Sequence, residues 1–253
     1  MKFEDMINTI QLGDCYELIK NIPDHSIDLV YIDVPYQHTQ INGYYGGGGS
    51  FGIDSRKYQR TLRDKELMSG INMSILDDIC RVMKHIYIYI WCSKEQIPKF
   101  INYFLDKKCL YEIMVWCKSN PTPTCNNKYL SDIEYCLMFR EKGTIIGGSY
   151  ETKSKFYISG TNVSDKELFL HPTIKPLELV KNHIINSTKE GDIVLDCFCG
   201  SGTTCLACKE LGRNYIGMEI DKEYHKIAVD RLNGITANGQ TSIFTNFDNI
   251  GSD

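Results

Sequence analysis

The chain has 253 residues, a formal net charge of −4 at pH 7, 42 % hydrophobic residues and 24 % charged ones. That length suits one α/β domain with at most a small insertion, and it buries roughly 70–75 % of its unfolded surface without staples. A net acidic chain lacks the bulk signature of a nucleic-acid binder, so any such contact must come from a local basic surface. No run of eighteen apolar residues occurs and the N-terminus MKFEDMINTIQLGDC has no signal-peptide core, so the expected compartment is the cytoplasm.

In chain order, TIQLGDC predicts a short strand ending at Gly13-Asp14, followed by a helix of about seven residues. IDLVYID, from Ile27 to Asp33, is a continuous apolar run ending in a carboxylate, as expected of a buried parallel strand. After Val34-Pro35-Tyr36, residues 37–63 read as a mobile loop. Four consecutive glycines at 46–49 cannot hold one backbone conformation unaided. A helix is expected over Asp64–Lys84, a strand over Ile86–Cys92, a helix over Lys94–Lys107 and a strand over Cys109–Cys117. Residues 118–130 carry prolines and paired asparagines and predict a loop, with a further strand over Ile133–Phe139.

Residues 141–170 are polar and irregular, and form the best candidate for a small inserted region. Regular patterning then returns: a helix over Leu177–Thr188, the strand and glycine turn of DIVLDCFCGSGTT, a strand over Arg213–Glu219 and a helix over Lys222–Leu232. Strands alternating with helices argue for a doubly wound α/β fold, with a mostly parallel sheet covered on both faces. The division expected is a single domain over 1–234, with a catalytic half at 9–140, the insertion at 141–170 and a cofactor half at 171–234. A polar tail follows at 235–253.

Eleven cysteines are scattered through apolar runs and are odd in number, which suits reduced core residues better than a disulfide framework. Cys197, Cys199, Cys205 and Cys208 could in principle supply a tetrathiolate zinc site. Cys205 and Cys208, however, fall at helical spacing on the face expected to press on a sheet, and no metal is expected. Basic residues gather at Arg56, Lys57, Arg60 and Arg63, with a weaker group at Lys142, Lys153 and Lys155. Each group reads either as a solvated face or as a nucleic-acid contact.

The segment Asp196-Cys-Phe-Cys-Gly-Ser-Gly-Thr-Thr204 ends a strand and opens a helix, and Gly200 and Gly202 let the backbone turn tightly beside a ligand. About twenty residues on stands Glu219, an acid placed to take the two hydroxyls of an adenosine ribose. The spacing is only G-x-G, so nicotinamide dinucleotide binding is the lesser reading.

FCGSGTT with YIGMEID, preceded by HPTIKP, resembles the cofactor half of the DNA amino-methyltransferases. The resemblance implies S-adenosylmethionine as cofactor, lined by Asp196, Phe198, Gly200, Gly202, Thr203 and Glu219. It also places Thr173 and Lys175 near the methionine end and Asp14 near the adenine. The family's catalytic signature, Asp/Asn/Ser-Pro-Pro-Tyr/Phe, stands here as Asp33-Val34-Pro35-Tyr36, with valine for the first proline.

The chemistry explains the residue types. An exocyclic amine is a poor nucleophile because its lone pair is delocalised, and acceptors aimed at its hydrogens favour a more tetrahedral, attacking nitrogen. Asp33 and the Val34 carbonyl can supply those acceptors, and Tyr36 can stack on a base flipped out of a duplex. Valine keeps the carbonyl but adds an N–H and frees φ.

The order of motifs, catalytic first and cofactor last, is similar to the β group of these enzymes over about Thr9–Leu232. Asp at the first motif position implies adenine N6 as the target, with cytosine N4 as the alternative. Double-stranded DNA is the partner implied, read through the 37–63 and 141–170 segments. Family members often dimerise, so a second copy is a further expected partner. Two other readings stay open: a methyltransferase-like DNA-binding regulator without turnover, and a small-molecule or protein methyltransferase.

Overall fold

The structure is a computed structural model that describes residues 2–37, 70–121, 123, 127, 129–161 and 174–236. Its centre is an eight-stranded sheet: β1 (Thr9–Leu12), β2 (Leu29–Asp33), β3 (Tyr87–Cys92), β4 (Leu110–Lys118), β5 (Ile133–Arg140), β6 (Phe156–Ser159), β7 (Ile193–Asp196) and β8 (Asn214–Glu219). The spatial order is β1-β8-β7-β2-β3-β5-β4-β6. All neighbours are parallel except the two pairs made by β5. Helices α1 (Cys15–Leu18), α2 (Ile75–Val82), α3 (Ile97–Asp106), α4 (Leu177–Ser187), α5 (Thr203–Glu210) and α6 (Lys222–Leu232) connect and cover it.

Period-two alternation sorts the side chains into two cores. In β3, Ile88, Ile90 and Cys92 face an aliphatic layer with Val30, Ile32, α2 and α3. Tyr87, Tyr89 and Trp91 face the other layer with Tyr31, α4, α5 and α6. Burial on both faces is what makes β2 and β3 read as unbroken apolar runs. The sheet is therefore doubly wound and mostly parallel, as expected.

Three elements depart from expectation. The segment joining β4 to β5 contains no helix among its described residues, so the chain returns as a hairpin and β5 runs antiparallel between β3 and β4. The 141–170 stretch is not wholly irregular: its β6 joins the sheet beside β4. Helix α2 starts at Ile75 rather than Asp64. Gly70 takes a positive φ of 82°, and the Asn72 side chain accepts the Ser74 N–H, holding the lead-in as a turn. Most of the 37–63 loop and residues 64–69 lie outside the described residues. Among the described residues no helix is long and apolar enough to cross a membrane.

The four clustered cysteines do not converge. Cys197 packs in the aliphatic layer, whereas Cys199, Cys205 and Cys208 pack in the aromatic one, across the sheet. Among the described residues no group of three or more His, Cys, Asp or Glu could hold a metal ion.

Candidate active site

The parallel strands β1, β8, β7 and β2 end along one edge of the sheet, and a cavity of about 410 Å³ opens there. This is the carboxyl edge of an open α/β sheet, at the point where chain order reverses between β7 and β2, the usual place for a ligand in such folds. Leu12 pairs with Glu219, and Val30 with Leu195, so the strand ends deliver Asp14, Asp33, Asp196 and Glu219 to one wall. With Glu134, five carboxyl groups line the cavity against one lysine, Lys175, among the described residues. Such a lining favours a cationic ligand.

At one end of the cavity the backbone shapes the site. Gly200 (φ 50°) and Gly202 (φ 74°) turn the chain from β7 into α5. The Gly200 N–H donates to Glu219 Oε2 at 2.9 Å, and the Asp221 N–H donates to Oε1 at 2.8 Å. These bonds orient the carboxylate, which has about four acceptor positions in all. Asp14 lines the same end and also caps α1, accepting the Tyr16 N–H at 2.9 Å. Gly202 is not in the wall. It faces α6, where a Cβ would lie 3.1 Å from Ala228 Cβ and from Leu232 Cδ1, so its glycine lets two helices approach. Asp196 is 4 % exposed; burial raises its carboxyl to about 7 despite hydrogen bonds from Thr204 and the Phe198 N–H.

The other end is built from remote segments. Lys175 Nζ donates to Asp33 Oδ2 at 2.6 Å, to Glu134 Oε2 at 3.0 Å and to the Tyr36 hydroxyl at 3.3 Å. Lys118 Nζ closes on Glu134 Oε1 at 2.6 Å, and the Tyr36 O–H donates to Glu134 Oε2 at 3.3 Å. Asp33 Oδ1, by contrast, is buried with no hydrogen-bond partner among the described residues. Burial raises the Asp33 carboxyl, with Lys175 opposing and Glu134 reinforcing. Burial also acts against the Glu134 charge, but Lys175 and Lys118 outweigh it and hold that carboxyl down at about 2. For Lys175, burial is overcome by Asp33 and Glu134, and its ammonium is held above its ordinary range.

The backbone after Asp33 is clamped. The Val34 N–H, which proline would lack, donates to the Trp91 carbonyl at 3.2 Å, and the Val34 side chain is 2 % exposed in the aliphatic core. Gln96 Nε2 donates to the Pro35 carbonyl at 3.0 Å, and the Ser93 hydroxyl to the Gln37 carbonyl at 3.0 Å. Behind the wall, the Trp91 indole N–H donates to the Tyr31 hydroxyl at 2.9 Å, which lies 3.2 Å from His183 Nδ1.

The chain is similar to known proteins. The family model of the N6/N4 DNA methylases matches residues 27–230. The type II methyltransferase M.HinfI of Haemophilus influenzae is 30 % identical, over 92 % of this chain and 70 % of that protein. M2.LlaDCHI of Lactococcus lactis subsp. cremoris is 27 % identical over 87 % of each chain. The chain belongs to the N6/N4 DNA methylase family. The crystal structure of the M1.HpyAVI–SAM complex superimposes with a TM-score of 0.63 at 25 % identity, covering 89 % of this chain and 99 % of that one. PvuII DNA methyltransferase, a cytosine-N4-specific protein, superimposes with a TM-score of 0.65 at 16 % identity over 88 % and 85 % of the two chains, and supports the Rossmann-like fold alone.

Of the methylase residues expected from sequence, the cavity wall brings together Asp14, Asp33, Val34, Pro35, Tyr36, Lys175, Asp196, Phe198, Gly200, Thr203 and Glu219. Lys175 stands among the catalytic-motif residues, where Asp33 and Glu134 hold its ammonium. Thr173 and the basic residues Arg56, Lys57, Arg60 and Arg63 lie outside the described residues. In the weaker basic group, Lys155 is ion-paired to Glu112.

Glu134, Lys118 and Trp91 were not anticipated from sequence. The available signal was a glutamate opening the apolar run IEYCLMF, in phase with Cys136 and Met138, which face the aromatic core. A charge on the inner face of a strand needs a partner.

Proposed function

We propose that this methylase transfers the methyl group of S-adenosylmethionine to the N6 amine of an adenine flipped out of double-stranded DNA. The observation that carries the reading is the Asp33 carboxyl at the cavity wall, with Oδ2 held by Lys175 and Oδ1 buried without a hydrogen-bond partner among the described residues. A buried acceptor without a partner calls for an explanation, and a catalytic role at the adjoining cavity supplies one. The residues fit the cofactor: an acidic lining for its cationic centre, Glu219 held in the lining by two backbone N–H groups as an acceptor for ribose hydroxyls, and a glycine turn at Gly200. When bound, the cofactor supplies a methyl group made electrophilic by a positive sulfur.

The chain's own residues do the rest. Asp33 Oδ1 and the Val34 carbonyl accept the two amine hydrogens and favour a nitrogen whose lone pair can attack. This preorganised arrangement needs no covalent intermediate with the protein. Tyr36 offers aromatic surface against which a flipped base can stack, worth about 1–3 kcal/mol. On taking the methyl group, with the neutral thioether as leaving group, the nitrogen would become cationic, and Asp33 is placed to accept the proton it sheds. Adenine is favoured over cytosine because the motif opens with Asp. Arg56, Lys57, Arg60 and Arg63 are assigned to the DNA, and a second copy of the chain is a candidate partner in holding it.

The test uses labelled S-adenosylmethionine with unmethylated genomic DNA, digestion to nucleosides and mass spectrometry, with Asp33→Ala in parallel. Label in N6-methyladenine that vanishes in the variant is the expected result. Label in N4-methylcytosine would keep the mechanism and overturn the base. No label in DNA despite cofactor binding would sink the reading as an active DNA methylase.

A further inference from the structure

The reaction as proposed needs Asp33 as an oriented, ionised acceptor, yet its carboxylate sits at a buried strand end. We propose that Lys175 and Glu134 are positioning residues. Lys175 fixes Oδ2 and so sets the orientation of the Asp33 carboxylate, and Glu134, anchored by Lys118, keeps the ammonium from closing over both oxygens. This inference rests on the reading of Asp33 as the amine acceptor.

The geometry is a linear chain of alternating charge, Lys118–Glu134–Lys175–Asp33, with contacts of 2.6, 3.0 and 2.6 Å. It draws on β4, β5, the segment before α4, and β2. Two cations and two carboxylates sum to zero, so the cluster can be buried without an uncompensated charge. Lys175 is 7 % exposed, and its ammonium has three donors, matched to Asp33, Glu134 and the Tyr36 hydroxyl. With all three committed, it has none left for Oδ1. Removing Glu134 would free one donor beside Asp33 and let Lys175 compete with the amine.

The two residues act on the Asp33 charge in opposite senses. Lys175 favours the ionised carboxylate, whereas the like charge of Glu134 disfavours it. The other titratable groups facing Asp33 among the described residues are Tyr31 and Tyr36 from its own strand and segment, Cys92 on β3, Cys136 on β5 and Asp196 on β7. None of these is a cation, so Lys175 is the main group that offsets burial, with a smaller contribution from the Tyr36 hydroxyl.

The experiment is the pH profile of kcat/KM for wild type, Lys175→Met and Glu134→Gln, using full-length protein, cofactor and DNA. The acid limb should move to higher pH in Lys175→Met and to lower pH in Glu134→Gln. Plateau kcat should fall roughly 10- to 100-fold in each, the worth of a charge-assisted hydrogen bond, with KM for cofactor little changed. Lys175→Arg, which keeps the charge, should return the acid limb toward its wild-type position. Acid limbs that stay in place while both variants lose activity in step with thermal stability would make the chain a structural brace only, and overturn the proposal.

A second readout needs no turnover: infrared titration of the Asp33 carboxylate, assigned with Asp33→Asn, should show the same opposed shifts. If wild type failed to methylate DNA, the proposed function would fall while this titration still decided the placement of the charges. Unmoved carboxylate titrations would refute that placement even in an active enzyme. The near-isosteric Glu134→Gln carries the test if Lys175→Met does not fold.

Discussion

The two ends of the cavity are built by different means. The end with Glu219 is local: a strand, two glycines and a helix within about twenty-five residues, with backbone N–H groups orienting the acid. The end with Asp33 is assembled from residues 33, 36, 118, 134 and 175, held by ion pairs across the sheet. Two carboxyls on adjacent strand ends show the consequence. Asp33 has a lysine against it, whereas Asp196 has hydrogen bonds but no cation offsetting its burial. One end is therefore preset by chain geometry and the other by charge balance, so their failures under mutation should differ in kind.

The largest effect should come from Asp33→Asn. The amide keeps one acceptor oxygen but presents an NH2 group, and it leaves Lys175 paired with Glu134 alone. We expect kcat to fall by roughly 10²–10³-fold, as for loss of one preorganised transition-state contact, with cofactor affinity nearly unchanged. Steady-state kinetics beside calorimetric cofactor titration checks both halves of that statement. A comparable loss of cofactor affinity would erase the division between the two ends.

Glu219→Ala is the reciprocal test. It removes the acid and strips the Gly200 and Asp221 N–H groups of their acceptor. Cofactor affinity should fall roughly 10- to 100-fold, while kcat at saturating cofactor changes far less. Equilibrium dialysis separates the two, and a kcat loss as deep as that of Asp33→Asn would count against the assignment.

How much of this was legible in the sequence follows the same division. The end with Glu219 leaves a compact signal, because its two glycines and the helix start are neighbours in the chain and the acid follows within twenty residues. In β3 the alternation of Tyr and Ile likewise announced two different faces. The ion-pair chain was not legible: Lys118, Glu134 and Lys175 are separated by 16 and 41 residues in number, and only the sheet order brings them together. The antiparallel course of β5 was hidden for a related reason. Its own pattern is that of any buried strand, and direction is set by how the chain returns from β4 through a connection with no helix among its described residues. Valine in the catalytic motif is explained only by the β2–β3 pairing, where its N–H finds the Trp91 carbonyl.

A backbone change should separate the ends by stability. Gly202 sits at φ 74°, and a Cβ there would crowd Ala228 and Leu232. Gly202→Ala should cost about 1–2 kcal/mol and lower the melting temperature by several degrees. Because the side chain meets α6 and not the cavity, the variant that remains folded should keep most of its kcat. Circular dichroism melts and single-turnover assays on one preparation would show whether the glycine serves packing or ligand approach.

The smallest effect, and the sharpest on the comparison, is the pH response of Asp196. Its carboxyl is held at about 7 by burial, above the ordinary 3.8. Between those values the folded protein binds a proton that the unfolded chain does not, so this group's contribution to stability is full below about 4 and is lost as pH rises through about 7. His183 runs the other way: burial lowers it to about 3 from 6.5, so its contribution is full above about 6.5 and is lost as pH falls through about 3. Over the neutral range Asp196 is the group still titrating. Without cofactor, the melting temperature should decline as pH rises from about 6 to about 8, and Asp196→Asn should flatten that slope. A cationic cofactor supplies the charge that Asp196 lacks, so its affinity should strengthen over the same interval in wild type and not in Asp196→Asn. A slope that survives the substitution would place the titration on another group and leave the two strand-end carboxyls electrostatically alike.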